Sequence, residues 1–138
     1  MAFAPEELND EAIEFLTKPR VIAAFVTTKD ASRPHAANVG YTYEHATRKV
    51  RIVTQPGSQK TLNVERGSRG ILNQIDGMHW LQLEGPARVL DDPAAIADAY
   101  ERFAARYGRV HDGATLVVIE IDVDQCRSPQ NGWGRRQS

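Results

Sequence analysis

A glycine-bearing loop that leads into a short helix carries the residue types that bind an anion. Gly57 and Ser58 precede Gln59 and Lys60, and Ser58 is a good N-cap for a helix that runs to about Arg66. Free backbone N–H groups at the helix start, the positive end of the helix dipole and a lysine in the first turn together form an anion site. A phosphate held there gains charge-assisted hydrogen bonds of about 1.5–3 kcal/mol each. The alternative is a solvated basic loop with a serine cap, since charged helix surfaces are common.

Positive charge is concentrated around this loop. Residues 48–69 contain six basic residues against one acid, Glu65, whereas the whole chain has a formal net charge of −1. Because the overall charge is near zero, no global basic field would attract nucleic acid or a membrane, and an anion must bind through this local patch. The six basic residues are Arg48, Lys49, Arg51, Lys60, Arg66 and Arg69.

The remaining residue types argue against several other chemistries. A single cysteine, Cys126, excludes an internal disulfide and a cysteine-based metal site, and we interpret it as an inert thiol. The histidines are scattered without the spacing of metal ligands, so no metal site is predicted. The sequence contains neither G-x-G-x-x-G nor a P-loop. The histidines are His35, His45, His79 and His111.

Periodicity and turn residues predict mainly β-structure with a few helices. Asn9 or Asp10 caps an opening helix that ends before Pro19, and a later helix starts at Asp92 and ends at Gly108. The predicted strands are residues 21–28, 34–43, 49–54, 70–75, 79–90 and 115–123. The first of them is rich in apolar and β-branched residues, which is typical of a strand buried on both faces.

These elements predict one domain with an antiparallel all-β barrel. The alternating βαβ units of a Rossmann-type fold are absent, and one helix precedes the last strand. Gly85 and Pro86 suggest a bulge or an edge within the long fifth strand. We place the domain at residues 1–126 and a flexible tail at 127–138, in which Trp133, Arg135 and Arg136 are expected to be disordered rather than folded over a ligand.

The N-terminus and the apolar runs predict a cytoplasmic protein. The first residues lack the basic and apolar regions of a secretory signal. The longest apolar run, residues 21–26, is far shorter than the ~20 residues that span a bilayer.

Several motifs resemble the pyridoxamine 5′-phosphate oxidase-like split β-barrel superfamily. They are Phe-Leu-Thr-Lys-Pro-Arg at 15–20, Ser-Arg-Pro-His at 32–35, Gly-Ser-Gln-Lys-Thr-Leu-Asn at 57–63, Leu-Glu-Gly-Pro-Ala-Arg-Val at 83–89 and Arg-Tyr-Gly at 106–108. The resemblance covers about residues 9–125 and implies a six-stranded antiparallel split β-barrel with flanking helices. It also implies a homodimer with coenzyme sites between the protomers.

Two stretches are similar to the branch of this superfamily that binds coenzyme F420. Lys60 and Asn63 follow Gly57 and Ser58 as in that branch, and residues 73–85 look similar to its deazaflavin-dependent biliverdin reductases. The resemblance implies an oxidoreductase in which the reduced coenzyme gives a hydride to a conjugated organic acceptor, such as biliverdin, which becomes bilirubin. The phosphodiester and γ-glutamyl tail of this coenzyme suit the local excess of lysine and arginine better than the single phosphate of FMN does.

The same resemblance implies which residues bind the coenzyme. Ser58, Gln59 and Lys60 bind its phosphate, while Asn63 supports the loop or contacts the coenzyme. Residues of the second predicted strand lie along the ring system, and either of two arginines meets the tail. The full set is Asn38, Val39, Gly40 and Tyr41 on that strand, Arg51 and Arg66 for the tail, Thr54, Gly57, Ser58, Gln59, Lys60 and Asn63 around the loop, and Gln74 and Trp80 from the neighbouring protomer.

Trp80 and His79 keep a second interpretation. Trp80 contacts the coenzyme or packs in the core or the dimer interface. His35 and His79 are candidates for contact with the substrate, and His79 is a candidate proton donor. A histidine on the surface or in the interface is the alternative for His79, whose neighbour Trp80 faces the opposite side of the strand.

Two other functions remain open at this point. The first is an FMN-dependent oxidase of pyridoxamine phosphate, which would need arginines for the substrate phosphate near the C-terminus. The second is a carrier that binds the coenzyme or a tetrapyrrole without catalysis, because hydride transfer by a coenzyme requires no catalytic side chain.

Overall fold

The structure, a computed structural model, describes residues 2–30, 33–108, 115–129 and Trp133 of the 138-residue chain. Its α-helices are α1 (Asp10–Thr17), α2 (Gln59–Glu65) and α3 (Pro93–Tyr107), and a 3₁₀ turn covers Pro5–Glu7. The strands are β1 (Ala2–Phe3), β2 (Ala23–Asp30), β3 (Arg33–Val39), β4 (Thr42–Glu44), β5 (Lys49–Thr54), β6 (Arg69–Asp76), β7 (His79–Leu90), β8 (Val117–Asp122) and β9 (Gln125–Arg127). The predicted fold class, an antiparallel β-structure with flanking helices, is confirmed.

The strands follow the order β3–β2–β6–β7–β8–β5–β4, and β9 pairs with β7 and β1. The long strand β7 joins the two halves, because its first part pairs with β6 and its last residues pair with β8. At this crossing a side chain on Gly85 would place its Cβ 1.8 Å from the backbone oxygen of Asp122. The bulge or edge predicted here falls where β7 changes its partner on one side, from β9 at Glu84 to β8 at Ala87, with a register shift of one residue. The β6–β7 register runs unbroken through Gly85 and Pro86, and the close approach of the next strand is what requires glycine.

The single strand predicted at residues 34–43 is divided into β3 and β4. The division falls at Gly40 and Tyr41, whose surroundings belong to α3 rather than to a neighbouring strand. Tyr41 N donates to the Tyr107 hydroxyl at 3.3 Å, and Tyr41 O accepts from Arg106 Nη1 at 2.8 Å. A Cβ on Gly40 would lie 2.8 Å from the Phe103 ring, so α3 packs directly on this junction.

The helix signals in the sequence are confirmed. Asn9 Oδ1 accepts from Ala12 N at 2.9 Å at the start of α1, and Asp92 Oδ2 accepts from Ala95 N at 3.0 Å at the start of α3. Gly108 follows α3 with φ of 87°. Among the described residues, no helix is long and apolar enough to cross a membrane.

The core lies inside the curved sheet. Strand β2 alternates, with Ala23, Phe25 and Thr27 buried and the residues between them more exposed, so the prediction of burial on both faces is wrong. The largest fully buried side chains include Tyr41, Phe25, Leu16, Ile52, Leu72, Leu81, Leu83, Ile119 and Ile121. A second, smaller cluster forms under α3 around Val53, Ala99, Phe103 and Val118.

The C-terminal segment is more ordered than predicted at two described positions. Arg127 ends β9 instead of beginning a loose tail. Trp133 is buried, its ring lies 4.8 Å from that of Phe15, and its backbone oxygen accepts from Asn9 N at 3.1 Å. Residues 130–132 and 134–138, including Arg135 and Arg136, lie outside the described residues.

Candidate functional site

The loop between β5 and α2 is held by hydrogen bonds within itself. Gly57 has φ of 79°, which favours glycine, and Ser58 is the N-cap residue of α2. Thr61 Oγ1 donates to Gln55 O at 3.1 Å and lies 2.8 Å from Ser58 Oγ. Because the Thr61 hydrogen is used on Gln55, the Ser58 hydroxyl donates to Thr61. A phosphate would have to turn this hydroxyl away from Thr61 to receive its hydrogen bond.

Lys60 is the cation of this loop, and it is only partly exposed. Burial lowers the pKa of its ammonium group. Among the described residues it has no hydrogen-bonding or acidic partner. Helix α2 is seven residues long, and the side chain of its N-cap residue Ser58 forms no capping hydrogen bond. The charge that can attract an anion to this loop is that of Lys60.

Asn63 supports the loop from inside the protein. It is fully buried, its Oδ1 accepts from Gln59 Nε2 at 2.7 Å, and its Nδ2 donates to Thr27 Oγ1 at 2.9 Å. These bonds fix α2 to β2. Of the two roles that the resemblance implies for Asn63, the structure favours support of the loop, since a fully buried amide with both ends bonded cannot reach a coenzyme.

Strand β3 lies beside the same helix. His35 is paired with Thr27, which binds Asn63, and α2 packs on both β2 and β3. The Nδ1 atom of His35 is buried and has no hydrogen-bond partner in the part of the chain that the structure describes. Farther along the strand, Asn38 is exposed and Val39 is buried.

Helix α3 contacts both the β3–β4 junction and the end of β5. The Phe103 ring lies nearest to the position of a Cβ on Gly40, and it packs in one cluster with Val53 of β5. Thr54, the last residue of β5, is buried. The structure therefore brings the β3–β4 junction, the end of β5 and the loop before α2 into one region of the molecule.

Two of the predicted coenzyme ligands are core residues. Gln74 is fully buried, its Nε2 donates to Phe15 O at 2.6 Å, and its Oε1 accepts from Tyr41 and from Arg106 Nη2. Burial raises the pKa of the Tyr41 hydroxyl. Gln74 cannot contact a coenzyme in this arrangement, because alternation along β6 turns it inward with Leu72. The Tyr41 side chain is also fully buried, and its backbone N–H donates to the Tyr107 hydroxyl.

Arg51 does not belong to the loop site either. Its guanidinium forms ion pairs with Glu44 at 3.0 Å and with Glu120 at 3.3 Å, and its side chain is 12% exposed. Contact with a coenzyme tail would require it to leave both carboxylates. The other arginine predicted for the tail, Arg66, is exposed at the end of α2 and has no acidic partner among the described residues.

The positive patch read from the sequence is largely neutralised by acids that are distant in the chain. Four of its six cations form ion pairs, and only Lys60 and Arg66 have none within the described residues. The pairs are Arg48–Glu6, Lys49–Glu120, Lys49–Asp122, Arg51–Glu44, Arg51–Glu120, Arg69–Glu84 and Arg69–Asp124.

Two cations that the sequence reasoning missed lie at the same end of the sheet. Lys29 lies near the end of β2, and Arg33 is the first residue of β3. This end of the β2–β3 hairpin contacts the turn after α2, where Thr28 N donates to Ser68 Oγ at 3.0 Å. Neither cation has an acidic partner in the part of the chain that the structure describes. No motif in the sequence signals this proximity, because it depends on how the hairpin packs on α2.

Trp80 and His79 lie at the other end of the sheet, in the β6–β7 hairpin. Trp80 is partly exposed and paired with Ile75, while His79 is exposed and its ring lies 6.0 Å from that of Trp133. Within this chain they are separated from the loop of Lys60 by the length of the sheet. In residues 2–30, 33–108, 115–129 and 133, no group of histidine, cysteine and acidic side chains could hold a metal ion.

Comparisons with known proteins agree with this architecture. The profile of the family described as pyridoxamine 5′-phosphate oxidase matches residues 8–128. A biliverdin reductase of Mycobacterium tuberculosis that depends on reduced coenzyme F420 is 38% identical over 118 residues, which are 86% of this chain and 85% of that protein.

Solved structures show the same fold at low identity. HupZ of Group A Streptococcus superposes with a TM-score of 0.73 at 15% identity, over 94% of this chain and 99% of that one. A structure described as an F420 reductase has a TM-score of 0.61 at 15% identity, over 83% of this chain and 94% of that one.

Proposed function

The chain belongs to the pyridoxamine 5′-phosphate oxidase family, and from that premise we propose that it is an oxidoreductase that uses coenzyme F420 to reduce a conjugated organic acceptor. Biliverdin, which would become bilirubin, is the acceptor that we propose, because the mycobacterial relative is a biliverdin reductase. The fold is that of the family, and the proposed hydride donor, reduced coenzyme F420, is the one that the mycobacterial relative uses. The acceptor is specific to this proposal.

The partly buried environment of Lys60 is the observation that carries the proposal. Burial lowers the pKa of this ammonium group, which has no acidic partner among the described residues, and an anion bound beside it would favour its charged form. The donor set of the loop, an ammonium group with neighbouring backbone N–H groups and a hydroxyl, fits a phosphate. Lys29, Arg33 and Arg66 are the cations that we propose for the acidic tail.

When bound in its reduced form, the coenzyme supplies a hydride, and the chain has to hold it and keep water away. Asn63 and Gln59 keep α2 fixed against β2, so that Lys60 stays at the phosphate position. Arg106 and Tyr107 fix both backbone polar groups of Tyr41 and with them the β3–β4 junction. Rigid positioning of this kind can contribute several kcal/mol to a transfer step.

We propose that two copies of the chain form the complete enzyme. The outer side of the sheet exposes Ile22 (60%), Ile75 (57%) and Met78 (89%) near Trp80. A second protomer packed on this side would cover these residues, and it would let Trp80 of one copy approach the coenzyme of the other. Gln74 cannot approach the coenzyme of the other copy in this way, because its side chain is fully buried.

The test is to mix the purified protein with reduced coenzyme F420 and biliverdin and to follow the absorbance of both. We expect oxidation of the coenzyme to match bilirubin formation, and slower turnover at limiting coenzyme for Lys60→Ala. Lys18→Ala is the matched control, because Lys18 is exposed and, among the described residues, pairs with Glu14 alone.

Two outcomes would contradict the proposal at different levels. If the coenzyme binds but biliverdin is not reduced, the acceptor is wrong and other conjugated acceptors have to be tried. If the protein is purified with tightly bound FMN and has no affinity for coenzyme F420, the chain is an FMN enzyme of the same family.

A further inference from the structure

A cavity of about 270 Å³ lies on the side of the molecule where α3 and α1 meet β4. It is lined by Thr17, Thr42, Tyr43, Arg102, Ala105 and Arg106, and it contains none of the residues of the Lys60 loop. Since a water molecule occupies about 30 Å³ in the liquid, the cavity has room for a small organic acid.

Arg106 makes this cavity unusual. The residue is 7% exposed, yet within the described part of the chain none of its bonds goes to a carboxylate: Nε donates to Pro19 O at 2.9 Å, Nη1 to Tyr41 O at 2.8 Å and Nη2 to Gln74 Oε1 at 3.2 Å. Its guanidinium also lies 4.6 Å from the centre of the Tyr41 ring. A buried arginine is normally paired with an acid, because an unpaired buried charge is costly.

The other cation of the cavity differs from Arg106 in this respect. Arg102 is partly exposed and pairs with Asp98 at 3.0 Å and with Glu44 at 3.4 Å. The Thr42 hydroxyl has no hydrogen-bond partner among the described residues, and the Thr17 hydroxyl donates to Ile13 O at 2.7 Å and can still accept. The cavity thus combines an unpaired buried positive charge with hydroxyl groups.

We propose that this cavity binds a small carboxylate, and that its carboxyl group pairs with Arg106. A carboxylate matches the planar guanidinium, and each terminal nitrogen of Arg106 has one N–H that no acceptor among the described residues uses. The site is separate from the coenzyme loop and does not depend on the proposed function.

Thermal unfolding with glutarate tests the proposal, with the neutral diamide glutaramide as the matched ligand control at equal ionic strength. We expect the melting temperature to rise with glutarate concentration along a saturation curve, and not with glutaramide. No rise with glutarate, or an equal rise with both compounds, would overturn the proposal.

Variants at Ala105, which is exposed on α3 and lines the cavity, locate the site without removing the bonds of Arg106. Ala105→Glu supplies a tethered carboxylate and should weaken glutarate binding by at least about tenfold, whereas Ala105→Gln, which has the same shape without charge, should weaken it less. Equal effects of the two variants would contradict the pairing with Arg106.

Independence from the coenzyme loop is tested in the same assay. Lys60→Ala should leave the response to glutarate unchanged, and saturating glutarate should leave the affinity for coenzyme F420 unchanged. A response that disappears in Lys60→Ala would place the carboxylate in the coenzyme loop and would overturn a separate site.

Discussion

Lys60 is the residue on which coenzyme binding should depend most. Lys60→Ala removes a charge-assisted bond of about 1.5–3 kcal/mol, which corresponds to a loss of about 10- to 150-fold in affinity. Burial lowers the pKa of Lys60 in the free protein. A bound phosphate favours the charged form, so the affinity of the wild-type protein should fall as the pH rises through this pKa. Fluorescence titration of the coenzyme at increasing pH measures both effects.

The variant also provides the control for the pH dependence. In Lys60→Ala the affinity should be weak and should no longer fall as the pH rises through that range. Salt should weaken binding to the wild-type protein, because screening reduces the attraction of exposed charges such as Arg33 and Arg66. An unchanged affinity in Lys60→Ala would remove the loop from the coenzyme site.

Cys126 should be unreactive in the folded protein. The side chain is fully buried, and burial raises the pKa of its thiol to about 12. At mildly alkaline pH a thiol-reactive dye should label the native protein only as fast as it unfolds, and should label it rapidly in denaturant. Rapid labelling of the native protein would show that the β1–β9 region opens independently of the barrel.

A ladder of charges connects β4, β5, β8 and β7 on one side of the sheet. Glu120 is its centre: it lies opposite Arg51 and Arg88 in the strand register and pairs with both and with Lys49. Burial alone would raise the pKa of Glu120, but hydrogen bonds from Arg88 and Lys49 outweigh it and hold the pKa below the usual 4.5.

The free energy of unfolding should decrease in acid, because the pKa of Glu120 is lowered in the folded protein. The ladder contributes stability above pH 4.5 and loses it as the pH falls from there through the lower pKa of folded Glu120. Glu120→Gln should cost about 1–3 kcal/mol near neutral pH and should flatten the loss of stability in acid. Urea unfolding at several pH values measures this, and Glu14→Gln, an exposed pair with Lys18, should change stability by less than about 0.5 kcal/mol.

Gly85 should be irreplaceable where β7 passes from one half of the sheet to the other. Any side chain there would meet the backbone of Asp122 at 1.8 Å, and a backbone cannot rotate away as a side chain can. Gly85→Ala should therefore cost more than about 4 kcal/mol or prevent folding. Gly77→Ala, at φ of 62° with open space around it, should cost only about 1 kcal/mol in the same unfolding experiment.

Local signals in the sequence were sufficient for most elements. Asp92, Pro93 and Gly108 predict the bounds of α3, because these signals act within a few residues. The division of residues 34–43 could not be predicted in the same way. It depends on Arg106 and Tyr107, which are more than sixty positions away and bind the backbone of Tyr41.

Contacts between residues distant in the chain also explain which cations of the candidate site were predicted correctly. Counting charges along residues 48–69 identified Lys60, whose surroundings are set by its own loop. It also counted Arg51 and Arg69 as available, although Glu44, Glu120, Glu84 and Asp124 neutralise them in the fold. Conversely, Lys29 and Arg33 approach α2 only through tertiary packing. Charge in a sequence predicts a site only after the partners across the sheet are known.

The surface of a single chain indicates that two copies assemble. A monomeric protein seldom leaves several large apolar side chains exposed close together, and Ile22, Ile75 and Met78 do so beside Trp80. A stable dimer buries about 800 Å² on each partner, which requires a surface of the extent of this sheet. We therefore expect light scattering to give twice the mass of one chain.

Ile75→Lys tests which surface forms the dimer. The substitution places a charge on the outer side of β6, where Ile75 is 57% exposed, so the monomer should fold while the dimer dissociates. Ala94→Lys, at an exposed position of α3, should leave the dimer intact. Because we place the coenzyme between protomers, Ile75→Lys should also lose coenzyme affinity although it leaves Lys60 untouched. A variant that is monomeric yet binds the coenzyme normally would show that each protomer holds a complete site.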